Sequence, residues 1–499
     1  MTAARRSHTA ESADNSGATG IEALFRMLPA VHELLNPRNT DAGTSEHDEK
    51  RLHAIRRVLG RLREEIVRGA HSEGSLQIAI DQLRGAIEEE LQRKTPYSLR
   101  RVINATGVIL HTNLGRAPLS QSAIENMAVV AAGYSNLEFN LEHGERGKRD
   151  VHAEAHLLNL FSELTNSDLE QTHRAIVVNN CAAATFLALH TLARGKEVIV
   201  SRSELVEIGG GFRIPEILEH SGAVLREVGT TNRTRTTDYG RAITADTGLI
   251  LRVHQSNFSM EGFVERPRLE DLTELGRRTG VPVFEDQGTG LIRALDLFGS
   301  QREPTFTASI AAGCDVIAAS GDKLLGGPQC GILMGRRELI ERMRMDPLYR
   351  ALRVDKLVYA ALEATLIDYL RGEHGAIPTL RMLQTMEPEI RNRCKWIAAE
   401  IESDAMTLEA MGVQSVIGGG TAPLSKLPSY AIALRHARFS AQNLLASLRH
   451  LDTPIIGRID DDRVLLDLRT VEPEFDSYLI SSLRLVAEAS PATRDTSAL

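Results

Sequence analysis

The sequence predicts an α/β protein built on a mostly parallel sheet, with a helical module before it and a smaller α+β unit after it. Short apolar runs rich in Val and Ile recur from about residue 100: "RAIVVNN", "EVIVSR", "AVLREV", "GLILRVH", "VPVFED" and "CDVIAAS". Helix-length segments such as "AAATFLALHTLA" and "RLEDLTELGRRTG" separate most of them. Strands that alternate with helices pair in parallel, because each crossover helix returns the chain and covers a face of the sheet. At 499 residues and 42% hydrophobic content, the chain can bury a large core.

Residues 1–20 hold no cluster of large apolar residues and are expected to form a disordered tail. A short amphipathic helix is expected over 21–36, "IEALFRMLPAVHELLN", and a breaker-rich loop over 37–50. Two helices then complete a helical module spanning 21–99. In the first, Leu52, Ile55, Leu59, Leu62 and Ile66 recur at spacings of three and four, the period of one helical face. Arg57, Arg61 and Arg68 fall on its other side. Residues 50–101 hold 12 Lys/Arg against 7 Asp/Glu, whereas the whole chain carries a net charge of -8. A solvated charged face accounts for that local excess, and so does a surface that meets a polyanion. The large α/β domain spans 100–355. A smaller α+β domain covers 356–490, opening with the helical "DKLVYAALEATLIDYLRG" and containing the strands "SYAIAL" and "RVLLDL". Residues 491–499 form a second tail.

Several function classes are set aside by what is missing. The four cysteines have no CxxC pair and no zinc-type spacing to histidine, so neither a disulfide framework nor a metal is expected, and a reducing cytoplasm fits. The N-terminus lacks the apolar core of a secretory signal, and no uncharged run reaches the roughly 18 residues of a membrane span. Neither a membrane nor DNA is expected as a partner. "GTGLIR" lacks the last glycine of a dinucleotide fingerprint, and "GKE" lacks the hydroxyl residue of a P-loop.

The stretch "AASGDKLLGGPQCG" is more informative. Lys323 follows a buried-strand pattern and sits in a turn too glycine-rich for a helix. Unpaired amines are costly to bury, so a lysine at the mouth of such a strand invites a chemical reading. A lysine in a closed site can form a Schiff base with an aldehyde cofactor, pyridoxal phosphate. That cofactor needs a carboxylate at its ring nitrogen and donors around its phosphate. Asp286, at the end of "VPVFED", supplies the first, 37 residues before Lys323. In "VVNNCAAATF" a strand turns through Asn180 into a helix. The amides of Cys181, Ala182 and Ala183 there make an anion cradle, and Ser320 adds a hydroxyl. Each part alone has an ordinary structural reading; the three in this order favour the cofactor.

These residues lie within segments that resemble the bacterial selenocysteine synthases, the L-seryl-tRNA(Sec) selenium transferase family. The segments include "RVINATGVILHTNLGRAPLS", "GYSNLEFNLEHGERGKR", "ELVEIGGGFRIPEI", "SGDKLLGGPQCGI" and "LYRALRVDKLVYAALEATL". The resemblance covers about residues 25–480 and implies a fold-type I, aspartate-aminotransferase-like enzyme dependent on pyridoxal phosphate. It implies that Lys323 holds the cofactor and removes the seryl α-proton while Asp286 sustains the ring. Loss of the β-hydroxyl leaves an aminoacrylyl group on the tRNA, and selenium from selenophosphate adds to it. Arg116, Arg350 and Arg353 are implied as the selenophosphate anion site, with ion pairing or a subunit contact as their ordinary alternative. The N-terminal module, through Arg57, Arg61 and Arg68, is implied to dock the tRNA. A homodecamer is expected on the same ground. Cys330 departs from the pattern, where a smaller residue is expected. The rival reading is a related lyase acting on a small amino acid or amino sugar, which has no need of the N-terminal module.

Overall fold

The computed structural model describes residues 23–35, 46–67, 69, 71–92, 97–209, 211–295 and 303–488. The expected tails at 1–20 and 491–499 lie outside the described residues. The chain divides into two compact units, 1–100 and 101–499.

In the first unit, residues 23–27 and Val31–Leu34 are short helical pieces rather than one helix. Pro29 falls between them and has no amide to continue the ladder. A long helix, Glu46–Val67, begins inside the segment read as a loop to residue 50, because the breakers Pro37 and Gly43 all precede it. Its expected apolar face is real: Ile55, Leu59, Leu62 and Ile66 are buried, and the first three pack with Leu83 and Ile87 of the helix Leu83–Gln92. Between these helices lies Glu73–Asp81, capped by the Ser72 hydroxyl on the Ser75 amide.

The second unit holds a seven-stranded sheet of β1 (His173–Val178), β2 (Glu197–Ser201), β3 (Val224–Val228), β4 (Thr247–Val253), β5 (Val283–Gly288), β6 (Val316–Ser320) and β7 (Gly331–Arg336). The spatial order is β1-β7-β6-β5-β4-β2-β3. Pairing is parallel from β6 through β3, whereas β7 runs antiparallel to both β6 and β1. One face packs on the helix Cys181–Ala193 and the other on Val151–Thr165 and Lys356–Leu370. The middles of the strands are mostly apolar because both faces are covered, and the polar residues gather towards the strand ends and on the edge strand β3. Where polar groups do occur near the strand ends, they need a reason.

A five-stranded sheet forms from β8 (Met406–Gly418), β9 (Thr421–His436), β10 (Arg458–Asp460), β11 (Arg463–Asp467) and, at its edge, Val108–Leu110. Residues 103–110, read above as the start of the large domain, pair with C-terminal strands: Ile103 and Asn104 with Ile455 and Ile456 in a separate two-stranded sheet, and Val108 with Val416 at the edge of the five-stranded one. Strands of two or three residues are too short to show a period, and their partners lie over 300 residues away. Local pattern carries no trace of such a pairing. Conversely, Lys356–Leu370 packs into the core of the central sheet through Tyr359, Leu362 and Leu366 rather than opening a separate body.

Candidate active site

The carboxyl ends of β1, β4, β5 and β6 converge on a cavity of about 310 Å³, lined among others by Arg116, Asn180, Cys181, Ala182, His254, Asp286, Ser320, Asp322 and Lys323. Ligands of open α/β sheets bind at this edge, where loops leave the strands. Lys323 is buried, and it lies in the turn that leaves β6 after Ser320. That turn is glycine-rich for a steric reason: a Cβ on Gly321 would meet the Cys330 thiol and the Pro328 carbonyl. Cys330 itself is fully buried, and burial pushes its thiol well up, so it is an inert filler.

Asp286 projects from β5 and is also buried. Thr185 Oγ1 donates to its Oδ2 at 3.0 Å, and the Cys181 thiol approaches Oδ1 at 3.5 Å. Burial raises the Asp286 carboxyl above its ordinary value, while the Thr185 bond and the Lys323 charge pull it back. The Cys181 thiol is pushed well above its usual range, first by burial and then by the Asp286 charge.

Asn180 caps the helix Cys181–Ala193, accepting from the Ala183 amide at 2.8 Å through its side chain and from the Ala184 amide at 3.0 Å through its carbonyl. The amides of Cys181 and Ala182 have no intrahelical acceptor, and both residues line the cavity, an arrangement that suits a phosphate. A Cβ on Gly331 would strike the Asn180 carbonyl, so the turn depends on that glycine. An aldehyde cofactor with a phosphate and a ring nitrogen fits this donor set: an amine, a buried carboxylate and orphan amides border one cavity.

Of the anticipated anion ligands, Arg116 reaches the cavity. It adopts a left-handed backbone, φ 63°, uncommon outside glycine and asparagine. Its Nη1 donates to Asp322 Oδ2 at 2.7 Å, and its Nε is buried without a partner. Arg350 and Arg353 do not line this cavity. Arg350 is exposed, in the short helix Pro347–Leu352. Arg353 follows that helix in extended backbone, so the two share no helical face, and it pairs with Glu138 at 3.3 Å. Its backbone nevertheless bridges Val178, two residues before Asn180. Ala183 spends its amide on the Asn180 cap and is not a lining residue. In the first unit, Arg57 and Arg61 both pair with Glu90, at 2.9 and 2.7 Å, and stay about half exposed. Arg68 lies outside the described residues.

Sequence reading missed Thr185, His254 and Asp322. His254 is detectable in hindsight as the polar residue closing the apolar "GLILRV" strand, and Asp322 as the acid beside the lysine. Thr185 has no signal of its own, since a hydroxyl in an apolar helix usually bonds its own backbone.

The parallel sheet and its strand-end lysine, aspartate and helix N-terminus define a fold-type I pyridoxal-phosphate enzyme. In fold the chain is similar to D-glucosaminate-6-phosphate ammonia-lyase, with a TM-score of 0.53 at 19% identity over 79% of this chain and 99% of that one. The family model for L-seryl-tRNA selenium transferase matches residues 102–472. The chain is 46% identical to the L-seryl-tRNA(Sec) selenium transferase of Aquifex aeolicus, over 84% of this chain and 90% of that protein. It is 44% identical to that of Geobacter sulfurreducens, over 93% and 99%. The chain belongs to the L-seryl-tRNA selenium transferase family.

Proposed function

We propose that the chain converts L-seryl-tRNA(Sec) to L-selenocysteinyl-tRNA(Sec) with selenophosphate as the selenium donor. The observation that carries this reading is one cavity bordered by Lys323, Asp286 and Arg116, in a chain of this family. Pyridoxal phosphate, when bound, supplies an electron sink for a carbanion at the amino acid α-carbon. Lys323 takes the α-proton at its Nζ and later returns it. Asp286 holds the proton at the cofactor ring nitrogen. The Cys181 and Ala182 amides anchor the phosphate. Arg116, fixed on Asp322, leaves its Nε to bind the donor anion.

The test is selenium transfer onto purified seryl-tRNA(Sec). The full chain is expected to form selenocysteinyl-tRNA and to be yellow, and Lys323→Ala to do neither. A yellow protein that leaves seryl-tRNA unchanged but releases ammonia from a small amino acid would favour the lyase reading.

The finer parts of the reading rest on separate supports. Arg57 and Arg61 present half-exposed guanidinium groups beside a single carboxylate, which suits backbone contacts on RNA. Replacing both by Ala is expected to weaken tRNA binding and lower its salt slope by about 1 to 2. For homodecameric assembly, the support within this chain is a run of exposed apolar side chains, Val129, Tyr134, Phe139, Leu141 and Val151. Sedimentation of the holoenzyme checks it.

A further inference from the structure

A second chamber, of about 500 Å³, abuts the Lys323 cavity and shares Val253 and His254 with it. Its polar lining is unusually unsatisfied. His254 Nδ1, Gln255 Oε1, Arg266 Nε, Glu285 Oε2 and Glu303 Oε2 are all buried without a hydrogen-bond partner among the described residues. Buried polar atoms are nearly always paired with protein or ordered water. Five such atoms around one chamber mark it as a hydrated space. His254 is the partition: its Nε2 lies 3.5 Å from Glu303 Oε2, and its Nδ1 is free.

We propose that Glu303 and His254 form a proton relay that delivers a proton from this chamber to the leaving β-hydroxyl of the substrate. The scheme rests on the seryl-transfer reading above. The Cα–H bond breaks first and reversibly, its proton going to Lys323 Nζ; the electron pair left at Cα then forms the Cα=Cβ bond. The Cβ–O bond breaks, and the departing oxygen takes the proton on His254 Nδ1, leaving as water. His254 Nε2 takes the carboxyl proton of Glu303, and Glu303 recovers one from chamber water. This assigns the Nδ1–H tautomer to the resting imidazole.

The local electrostatics suit both partners. Burial, reinforced by the charges of Lys323, Arg252 and Arg266, lowers His254 to about 3, so it rests neutral and passes a proton without storing it. Burial raises Glu303 to about 7, opposed by the Ala422 amide and the Lys323 charge, which leaves a proton to give near neutrality. The other carboxyl on the chamber, Glu285, is raised to about 6 by burial. Arg252 is already committed to Glu204 at 2.9 Å. Glu303 works through His254 and positions its proton, so a mere packing role has to be separable.

The test follows two events on holoenzyme with seryl-tRNA: exchange of the α-hydrogen with deuterated solvent, and loss of the β-hydroxyl. Glu303→Gln is expected to slow elimination at least tenfold more than exchange and to remove the fall in elimination rate as pH rises through about 7. His254→Phe is expected to give the same split. In the cofactor-free protein, the protonated-carboxyl infrared band should lose a component as pH rises through about 7 in wild type, above the one from Glu285 near 6, and that component should be missing in Glu303→Gln. Equal slowing of both events, or an unchanged pH profile, overturns the relay. Absence of α-hydrogen exchange in wild type would instead sink the seryl reading itself.

Discussion

Thr185 Oγ1 donates to Asp286 Oδ2 at 3.0 Å with both residues buried, so the carboxylate of the cofactor cavity is held by the helix that follows β1. The same helix offers its first amides to the cavity. One element therefore fixes the distance between its N-terminus and the carboxylate, and a rigid scaffold under both ends pre-organises the site.

Thr185→Val removes that donor at nearly constant volume. Burial already lifts the Asp286 carboxyl and Thr185 works against it, so the variant's carboxyl rises further and loses its charge more readily. Loss of a hydrogen bond to a charged group costs about 1.5–3 kcal/mol, or roughly 10- to 100-fold in cofactor retention. Thr185→Ser should restore most of it. Titration of the stripped protein with pyridoxal phosphate, read by absorbance, checks both.

Arg116 is held by Asp322 in a strained backbone conformation, and an unused Nε remains. Arg116→Lys keeps the charge but cannot hold the carboxylate and a second anion with one planar fork. The expected result is a KM for selenophosphate raised about tenfold or more, in line with a lost charge-assisted bond. Elimination from seryl-tRNA should change far less. Asp322→Asn should raise the same KM by freeing the guanidinium from its anchor.

The sheet, Lys323, Asp286 and the Asn180 turn were legible because each depends on a local pattern: an apolar run, a strand end, a capping residue. The Thr185 and His254 contributions were not, since each gains its meaning from a neighbour that is distant in sequence. Arg353 illustrates the same limit in reverse. It lies three residues after Arg350, a spacing that shares a face only within a helix, yet the helix ends at Leu352 and its side chain pairs with Glu138. The pairing of 103–104 and 108–110 with C-terminal strands is equally invisible locally, although the glycine of "INATGVIL" hints at a close approach.

That glycine, Gly107, has φ 77°, and a Cβ there would strike the carboxylate of Asp467 and the Arg458 guanidinium. Asp467 is fully buried and accepts from Ser415 and Ser429 at 2.8 and 2.7 Å, so it has no room to yield. Gly107→Ala adds about 1–2 kcal/mol of backbone strain to about 1–3 kcal/mol for a displaced buried acceptor. A loss of about 2–5 kcal/mol in denaturant unfolding is expected. Gly144→Ala, also at positive φ but with open space around its Cβ, should lose only the strain.

His254 and Glu303 also make stability depend on pH, with opposite signs. Glu303 is raised from the ordinary 4.5 to about 7, so its contribution is fully present below about 4.5 and is lost as pH rises through 7. His254 is lowered from 6.5 to about 3, so its contribution is present above about 6.5 and is lost as pH falls. Between 4.5 and 6.5 the Glu303 and His254 slopes oppose each other, and Glu285, raised to about 6, adds to the Glu303 side over the lower part of that window. Glu303→Gln removes one of the two carboxyl slopes and keeps that of Glu285. Across that window the variant should gain stability relative to wild type as pH rises, by up to about 1.4 kcal/mol per unit. Denaturant midpoints of the two proteins at pH 4.5, 5.5 and 6.5 measure the difference, and parallel curves would mean that Glu303 keeps an ordinary carboxyl.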